Sequence, residues 1–182
     1  MEYVKPIKEL EVIFLMKREL KQQSSRNYLL FVMGINTGLR ISEILALSIK
    51  DVYQSNGEPV DFLKLKREDV YLNAQVRRAL RWFVKKHPFS NPESYLFLSS
   101  RGETAISRQQ AYRIINQAAE NVGLAEKIGP HTLRKTFGYH AYKMGIAVSL
   151  IQRRFCHHTP AETLRYIGIN KEQVKPQLDI NL

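Results

Sequence analysis

Between Lys50 and Asn73 the apolar residues change their spacing, and this change restricts the fold more than any other feature of the chain. In "DVYQSNGEPVDFLKLKREDVYLN" an Asn56-Gly57 pair and Pro59 mark a turn, and Phe62, Leu63, Lys64, Leu65 and Lys66 then alternate. Alternation sends successive side chains to opposite faces of a strand, and Asn-Gly is the common pair in a tight hairpin turn. The segment therefore predicts a small antiparallel sheet. On both sides of it the spacing is helical. Leu10, Ile13 and Phe14 open a stripe that runs toward Leu20; "QQSS" interrupts it, and "RNYLLFVMGIN" begins a second helix. Gly38 is placed to close that helix in a left-handed conformation, with "ISEILAL" as a third. After the sheet, "AQVRRALRWFVKKH" stops ahead of Pro88, whose ring disfavours helical geometry in the preceding residue. Ser107 and Gln110 form a capping box, beyond which Ala111, Ile114, Ile115, Ala118 and Val122 keep one face apolar. Further helices are expected at 131–144, closed by Gly145, and at about 148–155 and 160–167. The expected class is mainly α with a small antiparallel β-sheet (α+β).

The 182 residues contain no repeat, linker or low-complexity tract, so 1–182 reads as one domain. Lys and Arg number 28 against 17 Asp and Glu, a formal charge of +11 that favours a polyanionic partner, with nucleic acid foremost. No run reaches the roughly 18 apolar residues of a membrane span, and no basic amphipathic helix dominates, so no membrane role is expected. A single cysteine, Cys156, suits a reducing compartment, and "MEYVKPIKEL" lacks the apolar core of a secretory signal. The expected location is cytoplasmic.

Three stretches carry candidate chemistry. In "HTLR", His131 and Arg134 stand three residues apart on one helical face, able to present donors to one small anion. In "TGLRISEIL", Arg40 follows a glycine turn, with Glu43 one helical turn later to orient it or a neighbour. In "FCHHTPAETLRYIG", His157 precedes Tyr166 by nine residues. Cys156, His157 and His158 have no second cysteine or carboxylate cluster at ligand spacing, and no metal site is expected. Arg153, Arg154, Arg77, Arg78 and Arg81 read as solvated or phosphate-positioning basic faces.

Together, in this order and separation, these motifs resemble the tyrosine recombinase (phage integrase) family over nearly the whole chain, from about Tyr3 to about Asn170. The resemblance implies a recombinase catalytic-domain fold and an enzyme that cleaves and rejoins DNA through a 3′-phosphotyrosyl intermediate. By that resemblance Tyr166 is the nucleophile, Arg40 and Arg134 clamp the scissile phosphate, and His131 and His157 add donors or assist proton transfer. Glu43 is the member closest to a purely structural role. A hairpin lysine would protonate the departing 5′ oxygen; counting back from "VYL" favours Lys64, whereas position beside the turn favours Lys66, which is preferred, and both are expected on one strand face. No metal or nucleotide cofactor is implied. The partner is double-stranded DNA, with four protomers acting on paired sites.

The chain departs from the family pattern at three points. Its hairpin is short, Cys156 stands where the family usually has glycine and is expected to shift His157 slightly, and no N-terminal DNA-binding domain is recognisable, as expected either of an excised catalytic domain or of a chain resembling the short recombinases that invert fimbrial promoters. Alternatives from other classes are a non-catalytic DNA-binding regulator on the same scaffold and a type IB topoisomerase-like enzyme. After Tyr166, Val174, Leu178 and Ile180 offer apolar anchors for docking the tail onto a neighbouring protomer.

Overall fold

The computed structural model describes residues 4–170 except 89, 90, 101, 103, 127 and 130; the proposed tail anchors lie outside the described residues. Helix α1 (Leu10–Gln23) leads into α2 (Ser25–Thr37), with Ser24 Oγ accepting from the N–H groups of Arg26 and Asn27 to cap the second helix. Helix α2 is the axis of the fold. Leu29 to Gly34 are all buried, which requires neighbours on every side, and α1, α5 (Ala74–Lys86) and α7 (Thr132–Lys143) supply them. In α1 the buried stripe is Ile13, Met16 and Leu20, whereas Leu10 and Phe14 are 68% and 63% exposed. At about 100° per residue, Leu10 and Phe14 stand well round the helix from that stripe, so of the expected stripe Ile13 and Leu20 are buried and Leu10 and Phe14 are not.

The chain does not become extended at Lys50. After α3 (Ile41–Leu45) it makes another helical turn, α4 (Ile49–Val52), because Asp51 Oδ2 accepts from both the Ser48 N–H and the Ser48 hydroxyl at 2.7 Å. Tyr53 then bridges to Pro59 around the turn at Asn56-Gly57. Strands β1 (Phe62–Lys64) and β2 (Asp69–Tyr71) pair antiparallel, with Leu63 opposite Val70 facing inward and Lys64 opposite Asp69 facing out. The ladder ends at that last pair, which leaves Lys66 in the connecting loop. The expectation that Lys64 and Lys66 share a strand face is therefore corrected: only Lys64 is on the strand.

Helix α6 (Arg108–Asn121) starts at the expected Ser107–Gln110 capping box and buries Ala111, Ile115, Ala118 and Ala119. A second, smaller core joins α7 to α8 (Val148–Phe155) and α9 (Pro160–Tyr166) through Ile151, Phe155, Ile167 and Ile169. Residues 4–9 run along α7: the Ile7 N–H donates to Thr136 Oγ1 at 2.9 Å, His140 Nε2 donates to the Ile7 carbonyl at 2.9 Å, and Lys135 Nζ donates to the Val4 carbonyl at 2.7 Å. Among the described residues no helix is long and apolar enough to cross a membrane.

Candidate active site

Gly38 ends α2 at φ +68°, and a Cβ there would lie 2.5 Å from the Phe137 ring. Both facts demand glycine, and the sharp turn they allow delivers Arg40 to the start of α3. The Arg40 N–H donates to Glu43 Oε2 at 2.7 Å, and its Nη1 lies 3.5 Å from Oε1. Arg134, on α7, is almost fully buried. Its charge is accommodated by donation from Nη1 to the Gly38 carbonyl (2.8 Å) and from Nη2 to the Arg154 carbonyl (3.4 Å), by Glu43 at 3.8 Å, and by the face of Phe155, whose ring centre is 4.6 Å away. The turn that aims one arginine is thus the acceptor that fixes the other.

Tyr166 closes α9, a helix begun by Thr159 Oγ1 accepting the Glu162 N–H and by Pro160 in the first turn. Its ring packs on Phe155 and His157, and its hydroxyl lies 3.2 Å from His131 Nδ1 at the head of α7. His157 Nδ1 lies 3.1 Å from Thr163 Oγ1, a fully buried hydroxyl that donates its own proton to the Thr159 carbonyl at 3.2 Å. That hydroxyl can only accept from His157, so the neutral imidazole carries its proton on Nδ1 and keeps Nε2 as the acceptor.

Charge and burial shape these groups together. Burial, then Lys135, Arg134 and Arg40, hold His131 below the ordinary histidine range. Burial is also the main cause lowering His157, where Arg134, Arg40 and His158 act against the upward pull of Glu162. Burial pushes the Tyr166 phenol up, and Arg134 and Arg40 partly offset it. Near neutral pH both imidazoles are therefore neutral and the tyrosine retains its proton.

Helix α8 ends at Cys156 with φ +56°, the left-handed conformation that glycine adopts most easily. The turn is preserved, and the His157 N–H donates to the Gln152 carbonyl at 3.1 Å. Facing Cys156 is the hairpin loop. Arg67 Nη1 donates to Cys156 Sγ at 2.9 Å, Arg67 Nη2 lies 3.4 Å from Glu43 Oε1, and Glu68 Oε1 lies 3.3 Å from Arg154 Nε. Between this loop and α3 lies a cleft of about 350 Å³, walled by Arg40, Glu43, Lys64, Lys66, Arg67 and Cys156 among others; Tyr166 and the two histidines are outside its walls.

The structure thus gathers Arg40, Glu43 and Arg134 in one cluster and Tyr166, His131 and His157 in an adjoining one, with Phe155 touching both. Lys64 is paired with Asp69 across the ladder, and Lys66 is exposed in the loop. The sequence reading missed Arg67, Thr163 and Lys135, whose ammonium stands 5.1 Å from the centre of the Tyr166 ring. Thr163 was findable, being three residues before Tyr166 on one helical face; the partners of Arg67 lie 24 and 89 positions away and left no local signal. Of the basic faces, Arg81 pairs with Glu58 and Arg77 with Asp61, while Arg154 turns inward with Glu68. Among the described residues no three His, Cys, Asp or Glu side chains gather as metal ligands.

A tyrosine hydroxyl beside a neutral imidazole, next to a cluster of guanidiniums, is an arrangement that can attack a phosphodiester with a side-chain oxygen. Residues 7–173 match the Phage integrase family. The chain is 41% identical over 176 residues to the probable integrase/recombinase YoeC of Bacillus subtilis strain 168, covering 96% of this chain and 95% of that one. Its fold is that of XerA recombinase (TM-score 0.76, 21% identity, 94% of this chain and 61% of that one). It is also that of XerH site-specific recombinase bound to palindromic difH substrate in a post-cleavage complex (TM-score 0.69, 24% identity, 94% and 51%). The chain spans between half and two thirds of those two solved structures. It belongs to the phage integrase family, the tyrosine site-specific recombinases.

Proposed function

We propose that this recombinase cleaves one strand of double-stranded DNA by attack of Tyr166 Oη on the scissile phosphorus. The P–Oη bond forms as the P–O5′ bond breaks, leaving a 3′-phosphotyrosyl link and a free 5′ hydroxyl. The phenol proton passes to His131 Nδ1, and the 5′ oxygen takes its proton from a hairpin lysine, Lys66 or Lys64. Arg40 and Arg134 hold the nonbridging oxygens in planar forks, Glu43 orients both, and His157, with its Nδ1–H held by Thr163, assists proton transfer through Nε2. Attack by another strand's 5′ hydroxyl reverses the chemistry without a cofactor. Exchange between two duplexes needs four active sites, so the working assembly is a homotetramer on paired DNA sites, acting in the cytoplasm. Net charge +11 supports DNA as the partner.

The observation that carries this reading is the 3.2 Å approach of Tyr166 Oη to an imidazole held neutral beside two arginines. The test is a nicked duplex cut from the DNA flanking this protein's own gene, quenched in SDS. Wild-type protein is expected to form a covalent DNA complex that Tyr166→Phe does not; a complex formed equally by Tyr166→Phe would assign the nucleophile elsewhere.

A further inference from the structure

Glu43 collects three guanidiniums rather than two: Oε1 lies 3.5 Å from Arg40 Nη1 and 3.4 Å from Arg67 Nη2, and Oε2 lies 3.8 Å from Arg134 Nη1. We propose that Arg67 is a third arginine of the phosphate clamp, set in position by Glu43 and by the Cys156 thiol; the inference rests on the phosphodiester reading of the site. Three guanidiniums against one carboxylate leave a local excess of two positive charges, with Arg40 and Arg67 on the cleft wall and Arg134 buried, to meet the charge a phosphodiester develops as a fifth oxygen approaches phosphorus. Arg67 is 59% exposed in its side chain and lines the cleft beside Arg40. Its two contacts use one N–H on each terminal nitrogen, which leaves Nε–H and the second N–H of each for an anion.

The neighbouring cations are placed differently. Lys64 is committed to Asp69, and Lys66 makes no contact with Glu43, the carboxylate on which the clamp converges, whereas Arg67 does. A guanidinium does not give up its proton in a protein, so Arg67 stabilises charge on the nonbridging oxygens and cannot protonate the leaving oxygen. That task remains with a lysine. Cys156 is a positioning residue: α8 accepts a left-handed non-glycine residue at the point where a thiol can receive the Arg67 N–H. A purely structural Arg67 would be an exposed ion pair of little consequence for the fold.

The test uses the full chain on a nicked duplex to which wild-type protein couples. Arg67→Ala is expected to slow covalent capture by about 100-fold, the usual effect of losing one such donor, with Arg67→Lys intermediate and thermal melting little changed. A methylphosphonate at the scissile position removes a nonbridging charge and should restore most of the Arg67→Ala rate, whereas a 5′-bridging sulfur, which leaves without a proton, should not. Cys156→Ala should slow capture in wild-type background but add nothing to Arg67→Ala, and Cys156→Ser, which keeps an acceptor, should behave near wild type. Capture unaffected by Arg67→Ala, or rescue of that variant by the bridging sulfur instead of the methylphosphonate, would overturn the assignment while leaving the Tyr166 reading standing. Absence of a Tyr166 adduct with wild-type protein would remove both.

Discussion

The two walls of the site are built in opposite ways. On the side of α7, α8 and α9, Arg134 is buried against backbone carbonyls, Thr163 is fully buried beneath His157, and Tyr166 packs on Phe155. On the hairpin side, Lys64, Lys66 and Arg67 are exposed, and the loop is held by ion pairs that are open to solvent at Lys64–Asp69 and Arg67–Glu43 and turned inward at Glu68–Arg154. The first wall is pre-organised by the same contacts that fold the protein. The second is a charged flap whose exposed contacts are weak and salt-sensitive. In the proposed reaction Tyr166 acts from the pre-organised wall, and Arg67, set by Glu43 and Cys156, acts from the exposed one.

The largest effects should come from the rigid wall. Tyr166→Phe should abolish covalent capture and leave thermal unfolding nearly unchanged, whereas Arg134→Ala should lose both. Arg134→Ala removes a proposed phosphate ligand and strands the Gly38 carbonyl, at about 1–3 kcal/mol of stability, measurable by urea titration. Next, Gly138→Ala would place a Cβ 2.6 Å from Ile167 and 2.7 Å from Phe155, the floor of the site, and should cost about 1–3 kcal/mol with parallel loss of cleavage. A melting temperature equal to wild type would show that this wall is looser than the packing indicates.

Smaller effects probe the imidazoles. Thr163→Val removes the acceptor that fixes the His157 tautomer and should slow capture by about tenfold. Both histidines lie below their ordinary value, so the unfolded chain binds protons that the folded one refuses as pH drops below about 6.5. Their contribution to stability is whole above that pH and is lost as pH falls through the lower folded values. Cleavage should fall in the same window as His131 ceases to accept a proton, and His157→Gln should flatten the stability slope.

The smallest effects belong to the flap. Cys156→Gly should relieve the left-handed strain and raise stability by about 1 kcal/mol while slowing cleavage through Arg67, a split that a merely structural cysteine would not give. Lys64→Ala should change stability by under about 1 kcal/mol.

What the sequence revealed follows the same division. Gly38, the Ser107 cap and the span of α9 were legible because each is a local decision, made by one residue's φ preference or by a cap three positions from its partner. The spacing of "HTLR", "TGLRISE" and the His157 to Tyr166 interval indicated which residues to look for. It did not reveal that Lys66 leaves the strand, because register depends on where the four-residue connection closes. Nor did it show that Leu10 and Phe14 face outward, since a short apolar pattern leaves the flank of a helix undecided until its partners are known. The Arg67 contacts, made across the fold, were invisible for the same reason.

The most direct measurement is mass-spectrometric mapping of the DNA-linked peptide from a nicked substrate trapped by wild-type protein. Trypsin cuts after Arg165, so the account predicts a nucleotide adduct on the peptide that begins at Tyr166. An adduct on any other tyrosine, such as Tyr139 or Tyr142 on the same small core, would contradict it.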